Sequence, residues 1–342
     1  MPAVTAKYWQ IAAGSEGRDY SEEFLRFGMA FVGGDDQCAA MRRVEAGDGV
    51  ILKRGRGRIV AAGRVVARDG QHRGERDKPW LLDFDGWELP AYCYVDWCVP
   101  PAPVPASGLT RSTIEQVRKR DLIAAAEEIL KLEVRRDFRE PKATEKLTDH
   151  AILNFLIKQG LRPSAAEELT QAFNRIRLLA NYYKTECRWD DVREHETRTF
   201  LVMPLLLALG WSEQQIKIEL AAKGVGKVDV TCFSKAYRRD ERGHPNHKDC
   251  VLVIETKGFQ SGLSFAHEQA KRYTTEFPSC RAVVVTNGYC YKVYPKDGAG
   301  IFSTRPSAYL NLLSPRDAYP LDPDNVKGGL EVLRLLLTQS WR

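Results

Sequence analysis

The chain has 342 residues, 44% of them hydrophobic, and a formal net charge of +6. That length predicts two or three domains, and that apolar content excludes a largely disordered chain. The mild basic excess suits an anionic partner.

No basic-then-apolar leader opens residues 1–10, and no apolar run reaches membrane-spanning length. The eight cysteines form no tight framework. Reduced thiols in a cytoplasmic protein with no membrane partner are therefore expected. Short apolar runs at 49–53, 59–66 and 92–99, separated by glycines and charges, predict a small β-rich domain, a barrel in outline, over residues 1–104. Pro100, Pro101, Pro103 and Pro105 then read as a stiff, extended linker.

From residue 111 to 183 the period becomes helical: Ile114, Val117, Leu122, Ile123, Ile129 and Leu130, then Ile152, Phe155, Leu156, Phe173, Ile176 and Leu179. Ser164 with Glu167 reads as a capping box. This stretch carries no chemistry, so residues 105–190 are expected to be a helical spacer or a dimer surface. The third segment, 191–342, opens on a helix over 192–209, interrupted at Pro204, whose nitrogen has no hydrogen to donate. Strands are expected at 215–220 and 227–233, separated by Gly224 and Gly226, and again at 251–257. A helix capped by Ser264 should reach Phe277, ahead of a strand at 281–286. Strand, helix, strand in that order is a parallel βαβ unit. Asn287-Gly288 is a hairpin signal leading into 289–294, and 330–337 reads as a closing helix.

The chemistry concentrates where the run at 251–257 ends. Side chains alternate along a strand, so Glu255 and Lys257 share a face while Thr256 points away. Asp229 interrupts the strand at 227–233, and a sheet that pairs the two strands brings it beside Glu255. Two neighbouring carboxylates repel unless one is protonated or a cation lies between them. Magnesium, with manganese as the alternative, suits such a site, because it takes few carboxylates and keeps several waters. Asp229, Glu255 and the Thr256 backbone carbonyl are the candidate ligands, with Glu194 as a third acid and Glu196 as its alternative. Lys257 would orient the attacking water or offset charge on the phosphate. Gln269 and Tyr273, four apart on one helix face, would bind phosphate or hold the lysine. The competing reading is a surface ion pair at a strand end, with Glu194 and Arg198 a simple i, i+4 pair. Cys232, His244, His247 and Cys250 carry zinc-ligand types, but they bracket a polar stretch that reads as a hairpin loop.

These residues carry a family resemblance. The segments are Glu194-His-Glu-Thr-Arg198, Pro204 to Trp211, Val228-Asp-Val230, Ile254-Glu-Thr-Lys-Gly258, Gln269-Ala-Lys-Arg-Tyr273 and Val285-Thr-Asn-Gly288. They resemble, in order, the nuclease domain of type I restriction motor subunits, a PD-(D/E)xK fold. The resemblance implies metal at Asp229 and Glu255, a catalytic Lys257, and Gln269 with Tyr273 as the family's Gln-x-x-x-Tyr element. It departs from that family in having no Walker A loop.

The first domain supplies a candidate reader. Arg42, Arg43, Lys53, Arg54, Arg56, Arg58, Arg64 and Arg68 crowd its middle, among Tyr8, Trp9, Tyr20, Phe24, Trp87, Tyr94 and Trp97. Arginines would hold phosphates and exposed aromatics would stack an extruded base. Equally, these aromatics would build the barrel core and the arginines solvate loops. Residues 8–14, 47–50 and 95–97 are similar to EVE or PUA-like domains, which bind flipped, often methylated bases. Trp9, Tyr20, Trp97, Arg54 and Arg56 are the residues expected to touch nucleic acid.

The expected fold class is thus multidomain α/β and α+β: a β-barrel-like PUA/EVE-type domain, a helical spacer, and a restriction-endonuclease-like α/β/α domain with a mixed central sheet. The expected function is magnesium-dependent endonuclease cleavage of double-stranded DNA, restricted to a modified base and used in phage defence. A homodimer would cut both strands. The alternatives are a nucleic-acid-binding scaffold with an inactive nuclease domain, or a nuclease acting on RNA or damaged DNA.

Overall fold

Strand β1 (Tyr8–Ala12) pairs in parallel with β3 (Gly49–Arg54), after α1 (Ser21–Phe27), β2 (Met29–Val32) and α2 (Asp35–Met41). Antiparallel partners follow: β4 (Arg58–Val65) on β3, the short β5 (Arg73–Glu75) on β6 (Ala91–Cys98), and β6 on both β4 and β2. The computed structural model describes residues 6–14, 18–188, 191–223 and 226–341. Within them the chain divides into two units, with the boundary between Pro141 and Lys142. Gly224 and the segment border expected at residue 190 lie outside the described residues.

The first unit is a curled half-barrel with strand order β2-β6-β4-β3-β1-β8. Its core holds Trp9, Phe24, Phe27, Phe31, Phe84, Tyr92 and Trp97, all under 2% or close to it in exposure. The end of the expected proline linker is sheet: Val104–Pro105 forms β7, paired with Ile59 and Arg58 of β4. A sheet edge suits proline, since it lacks the N–H a central strand would need.

The separate spacer does not exist as one body. Residues 105–141 belong to the first unit and the rest to the second. Ile114 and Val117, which fit a helical period, lie in strand β8 (Ile114–Val117), antiparallel to β1. Helix α3 (Arg120–Ile129) then buries Leu122, Ala126 and Ile129 against Tyr8, Ile51, Ile59 and Ala62 of the barrel. A stripe at i, i+4 and i+7 needs an apolar partner, and the nearest one is the curled sheet.

The second unit begins with α4 (Asp149–Lys158) and α5 (Pro163–Glu186). No side chain caps α5; Pro163 opens it instead, because a first-turn N–H has no helical partner to lose. Its six-stranded sheet has the order β14-β13-β12-β11-β10-β9. The strands are β9 (Ile216–Ala222), β10 (Gly226–Phe233), β11 (Cys250–Thr256), β12 (Ala282–Thr286), β13 (Cys290–Pro295) and β14 (Ala308–Asn311). All neighbours are antiparallel except β11 and β12. The polar loop 234–249 joins the antiparallel pair β10 and β11.

Two short helices, α6 (Glu194–Thr197) and α7 (Met203–Ala208), flank a π turn over Arg198–Val202. Pro204 cannot donate to the preceding turn, and the looser turn accommodates that loss. The crossover between β11 and β12 contains α8 (Ala266–Tyr273), which packs on both strands; Ser264 does not cap it. Helix α9 (Gly329–Leu336) packs on β14 and β13. All seven residues of β11 are buried, so a charge at its end is held by the sheet rather than by solvent. The chain is therefore mixed α/β with two mixed sheets. Among the described residues no helix is long and apolar enough to cross a membrane.

Candidate functional site

The β10–β11 ladder pairs Val230 with Ile254, and the next step of that register sets Asp229 opposite Glu255. Asp229 is fixed by the strand end: its Oδ2 accepts from the Thr256 N–H at 2.7 Å and from the Thr256 hydroxyl at 2.9 Å. Thr256 thus serves the site through its two donors to Asp229.

Glu255 is 2% exposed. Its Oε1 accepts from Lys257 Nζ at 2.6 Å, whereas Oε2 is buried with no hydrogen-bond partner. Burial pushes the Glu255 carboxyl up to about 7; the Lys257 ammonium opposes that shift, and the charges of Asp229 and Glu194 reinforce it. Burial pulls Lys257 the other way from its carboxylates, and the hydrogen bond to Glu255 with the charges of Glu255, Glu194 and Asp229 wins, leaving the lysine raised.

Lys257 Nζ also donates to Gln269 Oε1 at 3.3 Å, and Gln269 Nε2 donates to the Tyr273 hydroxyl at 2.9 Å. The i, i+4 pair on α8 therefore holds the lysine. Glu194 Oε1 lies 3.6 Å from the same ammonium. It does not pair with Arg198, and among the described residues no three His, Cys, Asp or Glu side chains are grouped as a metal-binding set. Glu196 instead turns back on its own helix start, its Oε2 accepting from the Arg193 backbone N–H at 3.1 Å. The simple ion-pair reading of Glu194 and Arg198 fails because the π turn sends Arg198 inward. Its guanidinium lies 3.3 Å from Asp229 Oδ1 and 3.0 Å from Glu219 Oε1.

Glu194, His195, Arg198, Glu219, Asp229 and Ser261 line a cleft of about 550 Å³. The donor set suits a hard divalent cation: Asp229 at the cleft and, across the ladder from it, a Glu255 oxygen that is buried and has no partner. The zinc-type residues point elsewhere. Cys250 donates to the Leu252 carbonyl, and His244 lies 3.4 Å from Asp240.

The expected reader residues divide. Trp9 and Trp97 are 1% and 0% exposed, and their indole N–H groups donate to Asp48 Oδ2 at 2.9 Å and the Phe24 carbonyl at 3.0 Å. They hold the barrel together and cannot stack a base. Arg54 is exposed but paired with Asp19 at 2.7 Å, and Arg56 is exposed in the β3–β4 turn. Much of the arginine cluster is neutralised in the same way, through Arg42–Glu75, Arg64–Glu127 and Arg68–Asp96. Tyr20 borders a cavity, about 390 Å³ in volume, together with Arg18, Phe24, Phe31, Gln37 and Trp87. Arg18 stacks on the Trp87 ring at 3.7 Å. Glu219, Phe31 and Gln37 carry no sequence signal; only the folded register brings them to these sites.

Comparison of the chain with protein-family models, with curated proteins and with solved structures finds no match.

Proposed function

We propose that the second unit is a divalent-cation-dependent nuclease of the PD-(D/E)xK kind that hydrolyses DNA, and that the first unit reads a base of that DNA. The buried, unpartnered Oε2 of Glu255, set across the ladder from Asp229 with Lys257 on the same strand end, carries this reading. A buried carboxylate oxygen with no donor is costly unless something positive meets it. Magnesium bound there would polarise a phosphate and acidify a water. Asp229 and Glu255 would hold it. Asp229 is oriented for that by the two donors of Thr256, which leave Oδ1 toward the cleft.

Lys257 supplies fixed positive charge where the phosphate would gather negative charge. Gln269 and Tyr273 keep that ammonium from collapsing wholly onto Glu255. Glu194 adds a second acceptor for it at the cleft wall. The cavity beside Tyr20, Phe31 and Trp87 has the aromatic lining and the volume that suit a base turned out of the duplex. One such site cuts one strand, so double-strand scission calls for two copies of the chain.

The test is a cleavage panel with the full chain: methylated DNA, unmethylated DNA and RNA, each with magnesium and with a chelator. The expected outcome is magnesium-dependent cutting of DNA, faster on the modified duplex. Lys257→Ala should reduce it by roughly a thousandfold while leaving the fold intact. Cutting that survives chelation, or that Lys257→Ala leaves unchanged, contradicts the reading. Binding of DNA without any cutting would favour the scaffold alternative.

A further inference from the structure

Arg198 bridges two acids that line the cleft, Asp229 and Glu219. Its side chain is 9% exposed, although it sits in a turn at the cleft wall. The pairs of β9 and β10, Leu220 with Val228 and Ile218 with Val230, leave Glu219 and Asp229 facing each other between them. Glu219 stands at φ 51, a left-handed conformation that side-chain-bearing residues seldom adopt. That kink belongs with a side chain turned to the cleft, where Glu219 takes Arg198 at 3.0 Å and Lys227 at 3.4 Å.

Asp229 has one oxygen already spent, since Oδ2 receives both donors of Thr256. Oδ1 is the oxygen left for a cation, and it is the oxygen that Arg198 Nη1 covers at 3.3 Å. The tighter of the two Arg198 contacts is the one to Glu219, through the other terminal nitrogen. The guanidinium can therefore let go of Asp229 without losing its second partner.

We propose that Arg198 is a built-in occupant of the cation seat at Asp229, and that Glu219 is the carboxylate that retains it when a divalent cation takes that seat. This rests on the nuclease reading above and names a control on its metal site. Arg198 and Glu219 act here as positioning residues. Two cations competing for Asp229 Oδ1 make metal affinity depend on how firmly Glu219 holds the arginine.

Calorimetric titration of the full chain with Mn²⁺ alone, without nucleic acid, tests this. Arg198→Gln should bind Mn²⁺ about tenfold more tightly than the unsubstituted chain, and Glu219→Gln about fivefold more weakly, from a charge moved within a few ångströms of the seat. The pair should be non-additive: in the Arg198→Gln background, Glu219→Gln should change affinity by under about twofold. Lys227→Gln removes a charge beside Glu219 without touching Asp229, and should leave affinity within about twofold.

Unchanged or weaker binding by Arg198→Gln, an equal gain from Lys227→Gln, or an undiminished Glu219 effect in the double variant overturns the inference. If Arg198→Gln does not fold, the half-exposed Glu219→Gln still decides: equal or tighter binding overturns it. Absence of Mn²⁺ binding by the unsubstituted chain overturns the proposed function along with this inference. Normal binding with indifferent variants overturns the inference alone.

Discussion

Glu255 is a buried carboxylate with only half its acceptor capacity used, and its titration follows from that. Its carboxyl is raised by burial from 4.5 to about 7. A carboxyl raised on folding favours the folded state where it is protonated, below about pH 4.5, and that advantage is lost as pH climbs through about 7. The loss amounts to about 3 kcal/mol across that window. Metal-free protein should therefore melt at lower temperature at pH 8 than at pH 5, and Glu255→Gln should flatten the difference. Melting curves recorded in chelator check this; an equal pH slope in both proteins contradicts it. The same residue was legible in the sequence, because an apolar run ending in Glu-Thr-Lys announces charges at the end of a buried strand. Trp9 and Trp97 were not legible in the same way. An aromatic pattern does not say whether a ring faces water or the core, and both indoles proved to be structural pins.

At the scale of elements, the turn after β12 clamps the helix that brings Glu194 and Arg198 to the cleft. Gly288 adopts φ 93, and a Cβ there would lie 2.5 Å from Leu201 Cδ1 and 2.9 Å from Thr197 Cγ2. Both strain and collision oppose any larger residue. Gly288→Ala should cost about 2–4 kcal/mol and also weaken metal binding by displacing α6 and the π turn. Gly298→Ala, with nothing within 4 Å, should be neutral. Denaturant titration of both variants checks this, and a neutral Gly288→Ala contradicts the clamp. The hairpin at Asn287-Gly288 was readable from its residue types, as was the strand-helix-strand crossover from β11 to β12. Glu219 was invisible, because its place opposite Asp229 depends on a register and a backbone kink that no spacing announces.

For the whole molecule, the helical period between 111 and 183 identified helices but not their partners. A period locates an apolar stripe and leaves open which core it joins, so α3 was separated from the half-barrel it seals. Residues 1–104 alone should therefore fail to fold cooperatively, whereas residues 1–141 should melt in one transition, since Leu122, Ala126 and Ile129 complete that core. Circular dichroism melts of the two fragments distinguish the cases; a cooperative 1–104 contradicts this boundary. The second unit carries the acids and the lysine on its own sheet, so its chemistry is independent of where the first unit's core ends.

The cation between Asp229 and Glu255 is the claim on which the rest depends. Its most direct measurement is Mn²⁺ binding followed by electron paramagnetic resonance on the full chain and on Asp229→Asn and Glu255→Gln. The account predicts bound Mn²⁺ in the unsubstituted chain and its loss, by about a hundredfold in affinity, in each variant. Mn²⁺ bound equally well by all three proteins would contradict it.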